Sequence, residues 1–241
     1  MRPLGFSTGA LAKGDYARGL DLQRPHERIR AVELSALRDR ELPALVEAAR
    51  SLDLARFDYV SFHAPSKLTT LDERSVFELL AALPPEWPII VHPEILLTPS
   101  LWRPLGARLC IENMDNRKTL GRTAAELREL FRQFPEARFC LDVGHARQID
   151  PTMAVALLML IEFGARLRQL HVSEVGPRGE HRPISMLSGW AYERIAHRVP
   201  QTCPLIIESV IEPQDIPREI TAVTDAFDVE KARASRQSAL A

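Results

Sequence analysis

Four of the chain's seven histidines, His63, His92, His145 and His171, stand at or just past the C-terminal ends of short apolar runs, and His181 follows in the next loop. Glu33, Glu112 and Glu208 close other runs of the same kind, and Asp142 closes the run that His145 follows. Imidazole and carboxylate together are the donor types for zinc, manganese, iron or cobalt. Paired carboxylates can also pass protons to and from carbon. Taken singly, each residue has an ordinary explanation. A strand-end Glu caps a neighbouring helix or pairs with an Arg, and a lone His in Phe62-His63-Ala64-Pro65 or Val91-His92-Pro93 is commonly a hydrogen-bonded core residue. Taken as a set they are harder to dismiss, because unpaired charges converging on one rim cost on the order of several kcal/mol unless a cation offsets them.

The elements that would bring these residues together are eight short apolar segments, at 4–7, 31–34, 59–63, 89–92, 108–112, 139–142, 169–172 and 205–208. Each is apolar throughout, as parallel strands buried on both faces are. Helical patterns separate them. Leu42, Leu45, Val46, Ala49 and Leu52 fit a helix over 42–54. Thr123 with Glu126 has the spacing of a capping box and opens a helix through Leu127, Leu130 and Phe131. Further helices are predicted at 151–165, 185–198 and 213–227, while Pro99 and Pro104 leave room for only a short one after Ile95. Eight strand–helix units without a linker predict a single (β/α)8 TIM barrel, an α/β domain over residues 1–227. The polar, Ala-rich tail at 228–241 is expected to be frayed. In such a barrel the strand ends share one rim, where barrel enzymes keep their active sites.

Composition is that of an ordinary globular protein, with a net charge of −1 that gives no field for recruiting nucleic acid or an anionic membrane. No apolar run reaches transmembrane length, and the N-terminus lacks a signal-peptide core. Cys110, Cys140 and Cys203 read as buried, reduced thiols, which suits a cytoplasmic protein. There is no GxGxxG or P-loop; Gly5-Phe6-Ser7-Thr8-Gly9 is a faint echo of one. Basic residues fall near the presumed rim: Lys13, Lys67, Arg117, Lys118, Arg147, Arg178 and Arg182. Lys67 and Arg178 are candidate ligands for an anionic group on a small substrate, with His63 and His92 beside them.

Phe139-Cys-Leu-Asp142-Val-Gly-His145-Ala resembles the xylose-isomerase-like barrel superfamily, which holds sugar isomerases and epimerases together with multi-zinc apurinic-site endonucleases. Val60-Ser-Phe-His63-Ala-Pro, Ile90-Val-His92-Pro, Leu109-Cys-Ile-Glu112-Asn-Met, Leu170-His171-Val-Ser-Glu and Ile206-Ile-Glu208 extend the likeness along the chain. In the epimerases this resemblance implies one metal held by Glu112, Asp142, His171 and Glu208. The two glutamates would then be the acid/base pair for proton transfer α to a carbonyl, and His145 would bind a substrate oxygen. In the endonucleases it implies further metals, with His63, His92 and His181 among their ligands. The family's D-x-H after strand seven is Gly179-Glu180-His181 here, with Gly in place of Asp, although Glu180 could substitute.

Three functions follow. The first is metal-dependent isomerisation or epimerisation of a small, sugar-like substrate, with zinc or manganese favoured and iron or cobalt as alternatives. The second is phosphodiester hydrolysis by clustered metals, disfavoured by the neutral charge and short connections. The third is a metal-binding barrel without turnover. Substrate specificity would sit in loops 64–71, 95–103 and 175–187, and oligomeric state is not encoded in any visible pattern.

Overall fold

All eight apolar segments are strands in the computed structural model, which describes residues 2–228. They are β1 (Leu4–Ser7), β2 (Ala31–Ser35), β3 (Tyr59–His63), β4 (Ile89–Val91), β5 (Leu109–Glu112), β6 (Arg138–Asp142) and β7 (Leu167–Val172). A small hairpin of β8 (Glu174–Val175) and β9 (His181–Arg182) precedes the eighth barrel strand, β10 (Leu205–Ile207). Neighbouring barrel strands pair in parallel, and the sheet closes in the order β1-β10-β7-β6-β5-β4-β3-β2. The fold is a single (β/α)8 barrel. From residue 229 onward the expected tail lies outside the described residues.

The helices are α1 (Thr8–Ala12), α2 (Tyr16–Gln23), α3 (Leu42–Ala49), α4 (Glu73–Ala81), α5 (Pro99–Trp102), α6 (Ala124–Gln133), α7 (Val143–Ile149), α8 (Ala154–Phe163), α9 (Met186–Ala196) and α10 (Ile216–Ala226). The capping signal ahead of α6 is realised: the Thr123 hydroxyl accepts from the Glu126 backbone N–H at 3.2 Å, and the Glu126 carboxylate accepts from that of Arg122 at 2.6 Å. The helix predicted over 42–54 is shorter, ending at Ala49. Its last residues turn away, and Asp53 instead accepts from the Ala55 N–H at 3.2 Å. Two short helices after β1, one after β3 and α7 after β6 are not predicted from the sequence; α4 is started by Asp72, whose carboxylate accepts from the Ser75 N–H at 2.7 Å. None of the described helices is long and apolar enough to cross a membrane.

Side chains two apart on a strand face the same way. Outward residues such as Phe6, Leu34, Phe62, Ile89, Ile111, Phe139 and Leu170 are fully buried against the helices and form the main core. The other set points into the barrel, where Ile90, Cys110 and Cys140 form a small apolar cluster of their own. One pleat further along the same strands come His92, Glu112 and Asp142. The same step carries β7 from Gln169 to His171 and β10 from Ile206 to Glu208. Ligand-type side chains therefore cap a thin apolar floor. The three cysteines are buried and unpaired. Gly5 permits closure between β1 and β2, since a Cβ there would stand 1.7 Å from the Ala31 carbonyl oxygen.

Candidate metal centre

Glu112 is the hub of the rim. Its Oε1 lies 3.3 Å from Nδ1 of both His145 and His171, and its Oε2 lies 3.2 Å from His63 Nε2 and 3.3 Å from His92 Nε2. His171 Nδ1 is also 3.4 Å from Glu208 Oε2, and His145 Nδ1 is 3.5 Å from Asp142 Oδ2. Each of three groups brings its ligand atoms within 4.8 Å of one another: Glu112 with Asp142, His171 and Glu208; His63 with His92 and Glu112; and Glu33 with His63, His171 and Glu208.

Local structure fixes these donors. Asp142 starts α7, accepting the His145 backbone N–H on Oδ1 at 2.6 Å and leaving Oδ2 free. Asn113 clamps β5 to β6, giving its amide N–H to the Asp142 carbonyl at 2.9 Å and accepting the Asp142 N–H at 2.8 Å. His63 turns its Nδ1 to the Ala64 carbonyl at 2.6 Å, which presents Nε2 to Glu112. His145 Nδ1 is 2.9 Å from the Asn113 carbonyl, so its Nε2 faces outward, 3.9 Å from Asp115 Oδ2.

Electrostatically the cluster is two-sided. Burial alone would raise Glu112, but the His171, His92 and His145 imidazoles hold it well below the usual carboxylate range. Burial pushes Glu208 up to about 7, against the pull of His171, and it raises Asp142 as well. Burial opposes charge on the imidazoles, yet the Glu112 hydrogen bond and nearby carboxylates lift His63 to about 9. Asp142 and Glu112 likewise lift His145 to about 10. Burial and the neighbouring His145 hold His181 down at about 3.

The residues fit a divalent cation. Asp142 Oδ2 and His171 Nδ1, both in the quartet, are buried polar atoms with no hydrogen-bond partner. Each such atom costs about 1–3 kcal/mol when left unsatisfied, and two carboxylates, an imidazole and a third carboxylate are a donor set that a cation satisfies at once.

Above the cluster opens a cavity of about 700 Å³. Lys118 is paired with Glu94 and Arg117 with Asp115 on its wall. Lys13 and Lys67, also on the wall, have no acidic partner among the described residues. The loop carrying Lys67 is tied down by Asp39. Asp39 Oδ2 accepts from the N–H groups of Thr69, Thr70 and Leu71 at 2.5, 2.5 and 2.9 Å, and Oδ1 accepts from the Thr69 and Thr70 hydroxyls at 2.7 and 2.9 Å.

Seven of the residues singled out in the sequence thus converge: Glu112, Asp142, His171, Glu208, His145, His63 and His92. His181 lies at the edge, its Nδ1 2.8 Å from the Ser173 hydroxyl and 3.7 Å from Glu208 Oε2, and it belongs to none of the three donor groups. Arg178 is exposed and forms no part of the cavity wall; Arg117, hydrogen-bonded to the Arg178 carbonyl at 2.8 Å, stands there instead. Glu180 does not replace the missing Asp, because it pairs with Arg182 and accepts from the Arg178 N–H at 3.0 Å. Gly179 has φ of 75°, and a Cβ on it would sit 1.8 Å from the Arg117 guanidinium carbon, so a side chain in this turn would displace the Arg117 head group. Asp115, buried in the wall three residues beyond Glu112, and Glu33, bonded to His171, were given no role from sequence. The period-two alternation along each strand was the signal available for Glu33.

No protein-family model matches the chain, and no curated protein matches it. Solved structures do. Endonuclease IV from Thermus thermophilus is 17% identical over 94% of this chain and 99% of its own, with a TM-score of 0.59. The IolI protein with a bound zinc atom is 11% identical over 97% of each chain, at a TM-score of 0.55. The 3-keto-D-glucoside 4-epimerase YcjR from E. coli is 9% identical over 94% of this chain and 99% of its own, at 0.57. The chain shares its (β/α)8-barrel fold with these structures. At these identities the likeness is one of fold, and proteins acting on sugars and on DNA share it.

Proposed function

We propose that this barrel is a divalent-metal-dependent isomerase or epimerase acting on a small, sugar-like substrate by proton transfer α to a carbonyl. The observation that carries the proposal is the quartet of Glu112, Asp142, His171 and Glu208, with ligand atoms within 4.8 Å of one another at the base of the cavity. A cation bound there, zinc or manganese by donor type, with iron or cobalt as alternatives, supplies Lewis acidity to the substrate carbonyl.

The two glutamates are driven apart in acidity by their surroundings, the pattern expected of an acid and a base sharing one site. Glu112, kept ionised by imidazoles, is the base that takes the proton from carbon. Glu208 is the second carboxylate of the pair and returns a proton to carbon. His145, raised to about 10, donates a hydrogen bond to a substrate oxygen. His63 and His92 line the cavity and contact hydroxyls when no second cation is present. Lys67, with Lys13, receives an anionic substituent such as phosphate or carboxylate. Arg178, outside the cavity wall, takes no part.

Metal analysis of purified protein followed by an exchange assay in D2O tests this. Substrate-dependent deuterium incorporation into sugars or sugar phosphates is the expected result. Bound metal without exchange on any such substrate would overturn it. One observation favours a second reading. Glu112 turns one oxygen to His171 in the quartet and the other to the His63–His92 pair, so His63, His92 and Glu112 would hold a second cation, and paired metals would suit phosphodiester hydrolysis. Cleavage of an abasic-site oligonucleotide would favour that reading.

A further inference from the structure

Below the quartet, Glu33 is an enclosed acid that takes no part in the chemistry described so far. Its side chain has no exposure, and its Oε2 gathers three groups: the Ser61 hydroxyl at 3.0 Å, the Gln169 amide nitrogen at 2.7 Å and His171 Nε2 at 3.1 Å. His171 is equally enclosed, and its other nitrogen, Nδ1, faces Glu112 and Glu208 without a hydrogen bond. The two nitrogens of one ring therefore meet two different environments, one below the site and one within it.

An ionised carboxylate can only accept, so the nitrogen opposite Glu33 must carry a proton. The surroundings leave little freedom. The Tyr59 hydroxyl donates to Gln169 Oε1 at 2.6 Å, which turns the amide NH2 toward Glu33. The amide nitrogen then lies 2.9 Å from His171 Nε2. Both nitrogens lie within hydrogen-bond reach of Glu33 Oε2, which serves them as a shared acceptor. A neutral imidazole with its proton on Nε2 has its lone pair on Nδ1, directed at the quartet.

We propose that Glu33 is a positioning residue of the metal centre, holding His171 in the Nε2–H form so that Nδ1 is the ligating nitrogen. Carboxylates that orient a ligating histidine in this way typically raise metal affinity by about 10–100-fold. The proposal rests on the metal reading given above and is independent of which reaction follows. Glu33 also falls within the third donor group, but its bonded oxygen is already committed to three donors, and its other oxygen has no partner.

Zinc affinity, measured by competition with a chromophoric chelator, tests the proposal without any activity assay. Glu33→Gln preserves side-chain size but supplies no charge, and it is expected to weaken zinc binding by ~10–100-fold. Ser61→Ala removes one Glu33 hydrogen bond without touching His171 and is expected to stay within ~3-fold of wild type, whereas a packing role would make the two variants alike. In the zinc-loaded wild type labelled with 15N-histidine, the resonance missing from His171→Gln should show a proton on Nε2 and metallation at Nδ1. That measurement stands even if Glu33→Gln does not fold. A folded Glu33→Gln binding zinc within ~3-fold of wild type, or an unprotonated Nε2 on His171, would overturn the proposal. Wild-type protein that takes up no zinc, manganese, iron or cobalt would instead overturn the metal reading itself.

Discussion

Replacing Asp39 by alanine removes the acceptor that organises the loop after β3. Three backbone N–H groups and two hydroxyls converge on this one buried carboxylate, and the Arg40 N–H is 2.9 Å from its Oδ1. Hydrogen bonds to a charged group contribute about 1.5–3 kcal/mol each when deleted singly, but bonds sharing one acceptor are not additive. Once the loop opens, water satisfies its N–H groups, so the loss for Asp39→Ala is about 3–4 kcal/mol of local stability rather than the sum. Asp39→Asn places its amide nitrogen best at the Oδ1 position, where the threonine hydroxyls can reverse and accept. It loses the charge and the Arg40 bond, at a cost of about 1–2 kcal/mol.

The hydrogen bonds hold the Asp39 carboxyl far below its ordinary value against the opposing effect of burial. A depressed carboxyl contributes stability that is complete above its unfolded pKa of about 3.9 and disappears as pH falls toward the folded value. Amide hydrogen exchange at Thr69, Thr70 and Leu71 is the assay. Wild-type protection should be constant at neutral pH and decline below about pH 4, while Asp39→Asn should start lower and stay flat through that range. Full protection of these amides in Asp39→Ala would refute the reasoning, since no other acceptor in the structure could account for it.

Gly5→Ala should destabilise the barrel by more than about 3 kcal/mol, because a Cβ 1.7 Å from the Ala31 carbonyl forces β1 away from β2; thermal denaturation reads this, and an unchanged midpoint would refute it. Chelator treatment should lower the melting temperature and added zinc should restore it, with about 2.7 kcal/mol regained at a hundred times the Kd. No response to either would argue against a resident cation. In calorimetric titration, the Lys13→Met/Lys67→Met double variant should bind inorganic phosphate about 10-fold more weakly than wild type, and equal affinity would remove the anionic subsite.

The barrel was legible because the strand segments are short and largely apolar, and seven of the eight end on or beside a residue able to bind metal, the first offering only Ser7. Alternation then does the rest: once Cys110 faces inward, Glu112 must as well. Boundaries were blurred where backbone chemistry rather than polarity sets them. β4 stops at Val91 because Pro93 has no N–H to continue the ladder, and β10 stops at Ile207 although the Glu208 N–H still bonds to Val172 at 3.0 Å. The two-residue strands of the β8–β9 hairpin are too short to leave a periodic trace, yet they decide that Arg178 points away from the cavity. Glu33 was visible as a strand end, but its partner His171 lies 138 positions along the chain. Only closure of the barrel brings the two together, and no local pattern encodes that distance. Asp115 was missed for a related reason, since its place in the wall depends on the turn that follows β5.

The quartet draws one residue each from β5, β6 and β7 and one from the end of β10, so no short fragment of the chain contains it. A cation therefore has no local nest in the unfolded chain and cannot seed folding from one end. It binds after β5, β6, β7 and β10 have come together side by side, and its binding free energy falls on the folded form. A bound cation should accordingly act on the unfolding rate rather than the folding rate, as a latch across the neighbouring strands β5, β6, β7 and β10. A protease would then find the metal-depleted chain much the easier target.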